Sequence, residues 1–322
     1  MARLVTDMGT VFVQADNLTK CYGKRTALNG LSLTVEGGEV TGLLGPNGAG
    51  KTTALSILAT ILRAHSGRAS ICGHDVGKET STARSFLGLV TQSVAIYPAL
   101  SGRENLEFFA RMQGLGRRTA RPAAQRMLEE VGLADRAEDT AESYSGGMKR
   151  RLNLACGMIH SPPVLLLDEP TVGVDPQSRE WIFELIDKAA AEGRAVIYST
   201  NYMEEAERLC HRVLLVDEGR VVADGTPQEL IATAGTRAHI RLNTQTKLHR
   251  GWAKGLPGAH EIELLSGEGV TATVAVDEVE IVPAVLRRAR EVGGEVKDFA
   301  LHQPNLQDAF IALTGHALRD AG

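Results

Sequence analysis

The chain has 322 residues, of which 43% are apolar and 23% charged, an ordinary globular composition at a length suited to roughly two domains. A net charge of −4 gives no bulk reason to bind nucleic acid, and no apolar run approaches the roughly 18 residues needed to span a bilayer. Cys21, Cys72, Cys156 and Cys210 lie far apart with no C-x-x-C pair, which fits a reduced cytosol and offers neither a disulfide framework nor a zinc site.

Met1–Thr10 carries Asp7 and lacks a long apolar core, so residues 1–10 read as a tail and not as a secretory signal. Val11–Ala15 and Leu31–Val35 are strand-like runs, with turns at Gly23-Lys24 and Gly37-Gly38, and predict an antiparallel flap. Val40–Leu44 then reads as a buried strand, and Thr53–Leu62 as a helix. Between them lies Gly45-Pro46-Asn47-Gly48-Ala49-Gly50-Lys51-Thr52-Thr53, which fits G-x-x-x-x-G-K-[ST]. Strand, glycine loop and helix are the context in which that pattern binds phosphate. Small residues let backbone N–H groups close around phosphate oxygens, and the helix N-terminus adds a positive dipole end. Lys51 would reach the β- and γ-phosphates of a nucleotide, and the Thr52 hydroxyl would hold Mg²⁺.

Leu87–Thr91, Val164–Leu167, Ala195–Thr200 and Val213–Val216 are short, nearly continuous apolar runs, suited to strands buried on both faces of a mostly parallel sheet. Between Pro98 and His160 the pattern is helical and charged, which predicts a helical insert over about 97–160. Within it, Ser145-Gly146-Gly147-Met148 precedes a helix over Lys149–Met158 and makes a second anion-binding corner, or else a plain N-cap. The strand Val164–Leu167 ends in Asp168-Glu169-Pro170. Downstream of a phosphate loop, Asp168 can serve the Mg²⁺ shell and Glu169 can polarise the attacking water as a general base. After Thr226-Pro227 the small residues of Ile231–Arg237 mark a boundary, dividing 11–235 from 236–322. The second part predicts strands at Ile240–Asn243, Glu261–Leu265, Val270–Val276 and Val296–His302 and helices over Ile281–Val292 and Asn305–Ala317, a small α+β domain. In its last helix Leu306, Phe310 and Leu313 share one face and are expected to pack in the core, while Glu278, Glu280 and Asp308 read as a solvated face.

Tyr144-Ser145-Gly146-Gly147-Met148-Lys149-Arg150-Arg151-Leu152 resembles the signature motif of ABC-transporter ATPase subunits, and stands shortly before the acidic strand as it does in that family. Other elements of the family appear in order over about residues 12–230. Tyr22 resembles the aromatic that stacks on adenine, and Gln92 the glutamine that touches Mg²⁺ and couples to the membrane partner. Gly173-Val174-Asp175-Pro176 resembles the D-loop. The resemblance implies an α/β P-loop NTPase (ABC ATPase) core with an antiparallel flap and a helical subdomain, plus the small C-terminal α+β domain. It implies ATP and Mg²⁺ as ligands, with Gly45, Asn47, Gly48, Ala49, Gly50, Lys51, Thr52, Thr53, Tyr22, Gln92, Ser145, Gly146, Gly147 and Asp175 around the nucleotide. Thr52, Gln92 and Asp168 would attend the metal, and Glu169, Lys51 and Asn201 the chemistry. Two such chains, identical or homologous, would close head-to-tail around two ATP molecules on the cytoplasmic face of a membrane. A separate permease would supply the spans, and the helical insert near Gln92 and Tyr97–Glu104 would pass the motion of closure to it.

Most import-type subunits read Leu-Ser-Gly-Gly-Gln where this chain has Tyr-Ser-Gly-Gly-Met. Together with Pro304-Asn305-Leu306-Gln307-Asp308-Ala309-Phe310-Ile311-Ala312-Leu313-Thr314-Gly315, this resembles the drug-resistance branch, similar to daunorubicin/doxorubicin and sodium-export ATPase subunits. An import subunit with a regulatory C-terminal domain, and a soluble ABC-type ATPase of ribosomes or DNA, are the alternatives. The latter is disfavoured by the single phosphate loop, by the lack of coiled coil or zinc cysteines between Thr53 and Ser145, and by the net acidity. One position departs from the family: Asn201 stands where a histidine ends the strand Ala195–Thr200. An amide still donates to phosphate, but it carries no charge and passes no proton.

Overall fold

The computed structural model describes residues 10–235, 237–246, 248–266 and 270–315. They fall into two compact units divided between Gln228 and Glu229. In the first, β1 (Val11–Tyr22) and β2 (Arg25–Glu36) pair antiparallel, and β3 (Val40–Leu44) leads into helix α1 (Lys51–Leu58). β4 (Ser66–Ile71) and β5 (His74–Asp75) complete a four-stranded sheet in the order β2-β1-β4-β5. After α2 (Thr80–Ser85) come β6 (Leu87–Val90), the helices α3 (Gly102–Met112), α4 (Arg117–Glu130) and α5 (Gly146–Met158), and β7 (Val164–Asp168). The unit continues with α6 (Pro176–Ala191), β8 (Ala195–Thr200), α7 (Met203–Leu209) and the hairpin β9 (Arg212–Asp217) and β10 (Arg220–Gly225).

Six of these strands form one sheet in the order β10-β9-β3-β8-β7-β6, parallel except at the β9–β10 edge. Every residue of β3, β7 and β8 is buried, as a sheet covered on both faces requires. The carboxyl ends of β3, β6, β7 and β8 therefore open on one edge, where ligands bind in open parallel sheets. A continuous apolar core joins Leu43, Leu166 and Ile197 of this sheet to Leu55 and Leu58 of α1 and to Val13, Leu31 and Val35 of the antiparallel sheet.

α1 begins two residues before the expected Thr53 and ends at Leu58, not Leu62. Its end is a 6→1, 5→2 pair: Ile61 N–H bonds Ser56 O at 2.9 Å and Thr60 N–H bonds Ile57 O at 3.0 Å, with Thr60 left-handed at φ 61°. α5 likewise starts at Gly146, ahead of the expected Lys149, because the Ser145 hydroxyl accepts from Met148 N–H. The antiparallel sheet takes in β4 and β5, which the sequence pattern hides, since only Ala69 and Ile71 of β4 are buried.

α8 (Pro227–Thr233) carries the chain past the division. The second unit is an antiparallel sheet of β11 (Ala238–Thr244), β12 (Ala259–Ser266), β13 (Val270–Val276) and β14 (Val296–His302) in the order β12-β13-β11-β14, with α9 (Val282–Glu291) and α10 (Leu306–Thr314). Its core gathers Ile240, Leu242, Val274 and Val285 around the fully buried Trp252. Two expectations about α10 are corrected. Leu306 and Phe310 are buried, but Leu313 is 38% exposed, because it lies in the last turn before the left-handed cap at Gly315, and Ala309 takes the place beside Phe310. Asp308 is not simply solvated: it closes a capping box with Asn305 and pairs with His302 at 2.8 Å. Glu278 and Glu280 are exposed, and Ala317 lies outside the described residues.

The parallel sheet constrains its helical neighbours tightly. A methyl group at Gly88 on β6 would lie 2.4 Å from Gly157 O of α5 and 2.8 Å from Pro162. Gly88→Ala is expected to cost about 2 kcal/mol by overpacking. A thermal melt of the full chain should register a fall of roughly 4–8 °C in the transition that unfolds the first unit.

Candidate functional site

The loop Gly45–Gly50 leaves β3 and enters α1 through two positions that only glycine serves without rearrangement. A Cβ on Gly45 would lie 2.1 Å from Val216 O, and Gly50, at φ 109°, has Ala27 O only 2.5 Å from where a Cβ would stand. The loop thus lies tight on the sheet edge, and the first N–H groups of α1 have no partner within their own helix. Lys51 is buried; its ammonium donates to Gly45 O at 2.7 Å and Pro46 O at 3.2 Å and stands 3.5 Å from the Glu169 carboxylate. Burial pulls its pKa down, and the facing charges of Glu169 and Asp168 oppose that shift.

A cleft of about 320 Å³ opens over this loop. Of the residues expected from the sequence, it brings together Tyr22, Asn47, Gly48, Gly50, Lys51, Thr52, Thr53, Gln92 and Glu169. Tyr22 is 48% exposed at the rim, where an aromatic face is open to stacking. Ala49 is buried behind the loop. Ser145, Gly146, Gly147, Asp175 and Asn201 do not line the cleft.

Asp168 and Glu169 sit where β7 ends. The Ser199 hydroxyl of β8 donates to Asp168 Oδ1 at 2.6 Å and accepts from Glu169 N–H at 3.1 Å, so one side chain holds both acids. Glu169 is left-handed at φ 45°, an uncommon conformation for a side-chain-bearing residue. It turns the carboxylate into the cleft, where Gln92 Nε2 donates to Oε2 at 2.8 Å. Arg150 locks this turn from outside. Its buried guanidinium donates to Glu169 O at 3.1 Å, Gln92 O at 2.6 Å and Thr91 O at 3.2 Å, and burial lowers its pKa. Asn153, one turn further along α5, accepts from Ala95 N–H at 2.9 Å. The helix that starts at Ser145 therefore carries both the Gln92 segment and the Glu169 turn.

Ser145 and Gly146 are exposed, while Gly147 packs against α6. A Cβ on Gly147 would lie 2.3 Å from Ser178 Oγ and 3.0 Å from Asp175 Oδ2. Asp175 caps α6 by accepting from Ser178 N–H at 2.9 Å, and the bonds from Ser178 hold its carboxyl below the ordinary range. Asn201 follows the last residue of β8, and its Oδ1 is buried without a hydrogen-bond partner among the described residues.

Four residues were not singled out in the sequence. Arg25, in the lining, donates to Gly48 O at 3.2 Å. Arg150 stands within the motif Tyr144–Leu152 with no role of its own assigned, Ser199 lies near the end of an apolar run, and Glu205 lies in an acidic helix start. Only a hydroxyl placed level with Asp168 on a neighbouring parallel strand would have pointed to Ser199, and that needs the strand order.

The sequence model described as ABC transporter matches residues 28–172. The chain is 38% identical over 311 residues to a linearmycin resistance ATP-binding protein of Bacillus subtilis, covering 96% of this chain and 100% of the relative. It is 41% identical to a daunorubicin resistance ATP-binding protein of Streptomyces coeruleorubidus (96% and 97%) and 38% identical to a Nod factor export ATP-binding protein of Paraburkholderia xenovorans (96% and 98%). Among solved structures, the dimeric post-hydrolysis state of an ATP-binding cassette bound to ADP and Pi superposes with a TM-score of 0.62 at 26% identity, over 66% of this chain and 98% of that one. The ATP-binding subunit of an ABC transporter gives 0.64 at 27% identity, over 70% and 93%.

Lysine cannot reproduce what the planar guanidinium of Arg150 does, because a single ammonium cannot span three carbonyls on two turns. Arg150→Lys is expected to cost about 2 kcal/mol. Faster amide hydrogen exchange over 91–95 and 169–172, with the β7 amides still protected, is the outcome to look for.

Proposed function

This chain belongs to the ABC transporter family of ATP-binding proteins, and on that footing we propose that it hydrolyses ATP at the Lys51–Glu169 cleft to drive export through a separate membrane permease. The single observation that carries the assignment of the site is the Glu169 carboxylate lying 3.5 Å from Lys51 and 2.8 Å from Gln92 at the edge of a parallel sheet. Tyr22 would stack on adenine, and the Gly45–Thr53 loop would cradle the phosphates with its amides. Lys51 would exchange its two carbonyl partners for β- and γ-phosphate oxygens. Thr52, Gln92 and Asp168 offer the hard oxygen donors that Mg²⁺ prefers, and Ser199 leaves Asp168 Oδ2 free of its own bond. Bound there, Mg²⁺ would neutralise phosphate charge. Glu169 would take the proton of the attacking water, its direction fixed by the bonds from Gln92, Arg150 and Ser199.

Ser145, Gly146 and Asp175 lie outside this cleft, which supports their serving the nucleotide of a second subunit in a head-to-tail pair. The dimeric state of the related cassette supports the same arrangement. Asn201 is two residues beyond Ser199, which holds both acids, and would donate its amide to the γ-phosphate. No helix among the described residues is long and apolar enough to cross a membrane, so the spans would come from the permease. Tyr97, which packs on Phe108 of α3, Met112 at the end of that helix, and Val94, all exposed, would meet it at the membrane's cytoplasmic face. The antibiotic-resistance and Nod factor export names of relatives matched over more than nine-tenths of the chain favour export of an organic molecule over import, over ion export and over ribosome or DNA work.

Removing the base should trap the bound state. Glu169→Gln is expected to lower ATP turnover about 100-fold or more and to leave nucleotide binding in place. Light scattering with ATP should then give the mass of a dimer; a persistent monomer would assign the second site to a different subunit. Asn201→His is expected to raise turnover of the assembled complex several-fold, up to roughly 100-fold. Unchanged turnover would remove the idea of a site slowed by the missing histidine.

A further inference from the structure

A second carboxylate lies behind the cleft, and none of the chemistry above uses it. Glu205, 2% exposed, is the third residue of α7. Its Oε1 accepts from the Thr171 hydroxyl at 2.8 Å, and its Oε2 accepts from both Tyr198 OH and Thr200 Oγ1 at 2.8 Å. Arg179 of α6 stands 3.6 Å from Oε1. A buried carboxylate is costly unless paired and hydrogen-bonded, and here three hydroxyls, one cation and the start of a helix meet that requirement.

The partners lie on three separate segments. Thr171 is two residues beyond Glu169. Thr200 is the residue before Asn201, and its hydroxyl also accepts from Tyr202 N–H at 3.0 Å, fixing both sides of Asn201. Arg179 is four residues beyond Asp175, the cap of the same helix. We infer that Glu205 is a positioning residue for hydrolysis: it holds the Glu169 turn, the Asn201 turn and the Asp175-capped helix in register without touching nucleotide. This inference rests on Glu169 acting as the base.

A group that only stabilises the fold would lower melting temperature, ATP binding and turnover together. A positioning group lowers turnover while leaving KM for ATP in place. Glutamine can keep the hydroxyl bonds, though not the ion pair with Arg179. Its oxygen accepts from Tyr198 and Thr200, its amide donates to Thr171, and the Thr171 hydroxyl turns to Tyr198 OH, already 3.1 Å away. The network therefore predicts that charge is dispensable and hydrogen bonding is not.

The test measures kcat, KM for ATP and thermal melting of the full chain for Glu205→Ala, Glu205→Gln and Thr171→Val, with Glu169→Gln alongside. Glu205→Ala should lower kcat about 10- to 100-fold with KM within about twofold, as displacement of a catalytic group does. Glu205→Gln should recover most of that loss. Thr171→Val, which removes one hydroxyl at nearly constant volume, should lower kcat with KM for ATP unchanged, and it decides the matter if Glu205→Ala does not fold. Unchanged kcat in Thr171→Val, or kcat and KM failing together in Glu205→Gln, would overturn the inference. An active Glu169→Gln would instead overturn the base that the inference serves, which separates the two failures.

Discussion

The site depends on a buried guanidinium. Arg150 forms no ion pair within 4 Å among the described residues; it is held by the carbonyls of Thr91, Gln92 and Glu169. A cation placed so deep costs several kcal/mol unless its donors are all used, so the carbonyls must come to it. Both segments that supply them, the exit of β6 and the exit of β7, are thereby fixed to α5. The left-handed turn at Glu169 is an unfavourable conformation in isolation, and it persists because Arg150 holds its carbonyl while Ser199 holds its amide.

That arrangement has a mechanical consequence. α5 begins at the exposed Ser145-Gly146 corner and continues into Arg150 and Asn153, so any rigid movement of the corner moves the Gln92 segment and the Glu169 turn with it. The close fit of Gly147 against Ser178 ties the same corner to α6. Arg151 adds a further tie, its guanidinium 5.3 Å from the ring of Trp181 on α6 and donating to Val131 O beyond α4. The exposed Ser145-Gly146 corner is thus joined by short, stiff links to the Gln92 segment and the Glu169 turn. Coupling of this kind needs only a packed element with two arrangements.

Local chemistry was legible in the sequence, and long-range chemistry was not. Gly45–Thr53 announces itself because the loop, the lysine and the helix start are contiguous. Asp168 and Glu169 follow from a buried strand with acids at its end. Arg150 acts across 19 to 59 residues of sequence, Ser199 across 31 to Asp168 and Glu205 across 34 to Thr171, and each has an innocuous neighbourhood: a basic run, an apolar run, an acidic helix start. Arg150 holds backbone carbonyls, Ser199 a carboxylate and a backbone N–H, and Glu205 three hydroxyls and a cation, and no spacing rule picks out such partners. The fold shows the same division. The fully buried strands β3, β7 and β8 stand out as apolar runs, whereas β4 and the edge strand β10 are largely exposed and their side chains carry little pattern. Leu313 went astray for a related reason: periodicity gives a face but not where the core stops.

Asn201 is where these constraints leave a question of chemistry and not of architecture. Thr200 and Tyr202 fix the backbone on either side through a single hydroxyl that donates to Glu205 and accepts from Tyr202. The turn is therefore set whatever side chain occupies it. Within that turn the amide's Oδ1 is buried and unpaired among the described residues, a cost of about 1–3 kcal/mol that a bound group with a proton to donate would relieve. A histidine there could donate or accept according to its tautomer and charge. Asparagine offers a fixed acceptor and a fixed donor on the same planar group, so its contribution does not change with pH. The substitution thus exchanges a titratable contact for a permanent one while the surrounding network, from Glu205 to Glu169, stays as the buried hydrogen bonds dictate.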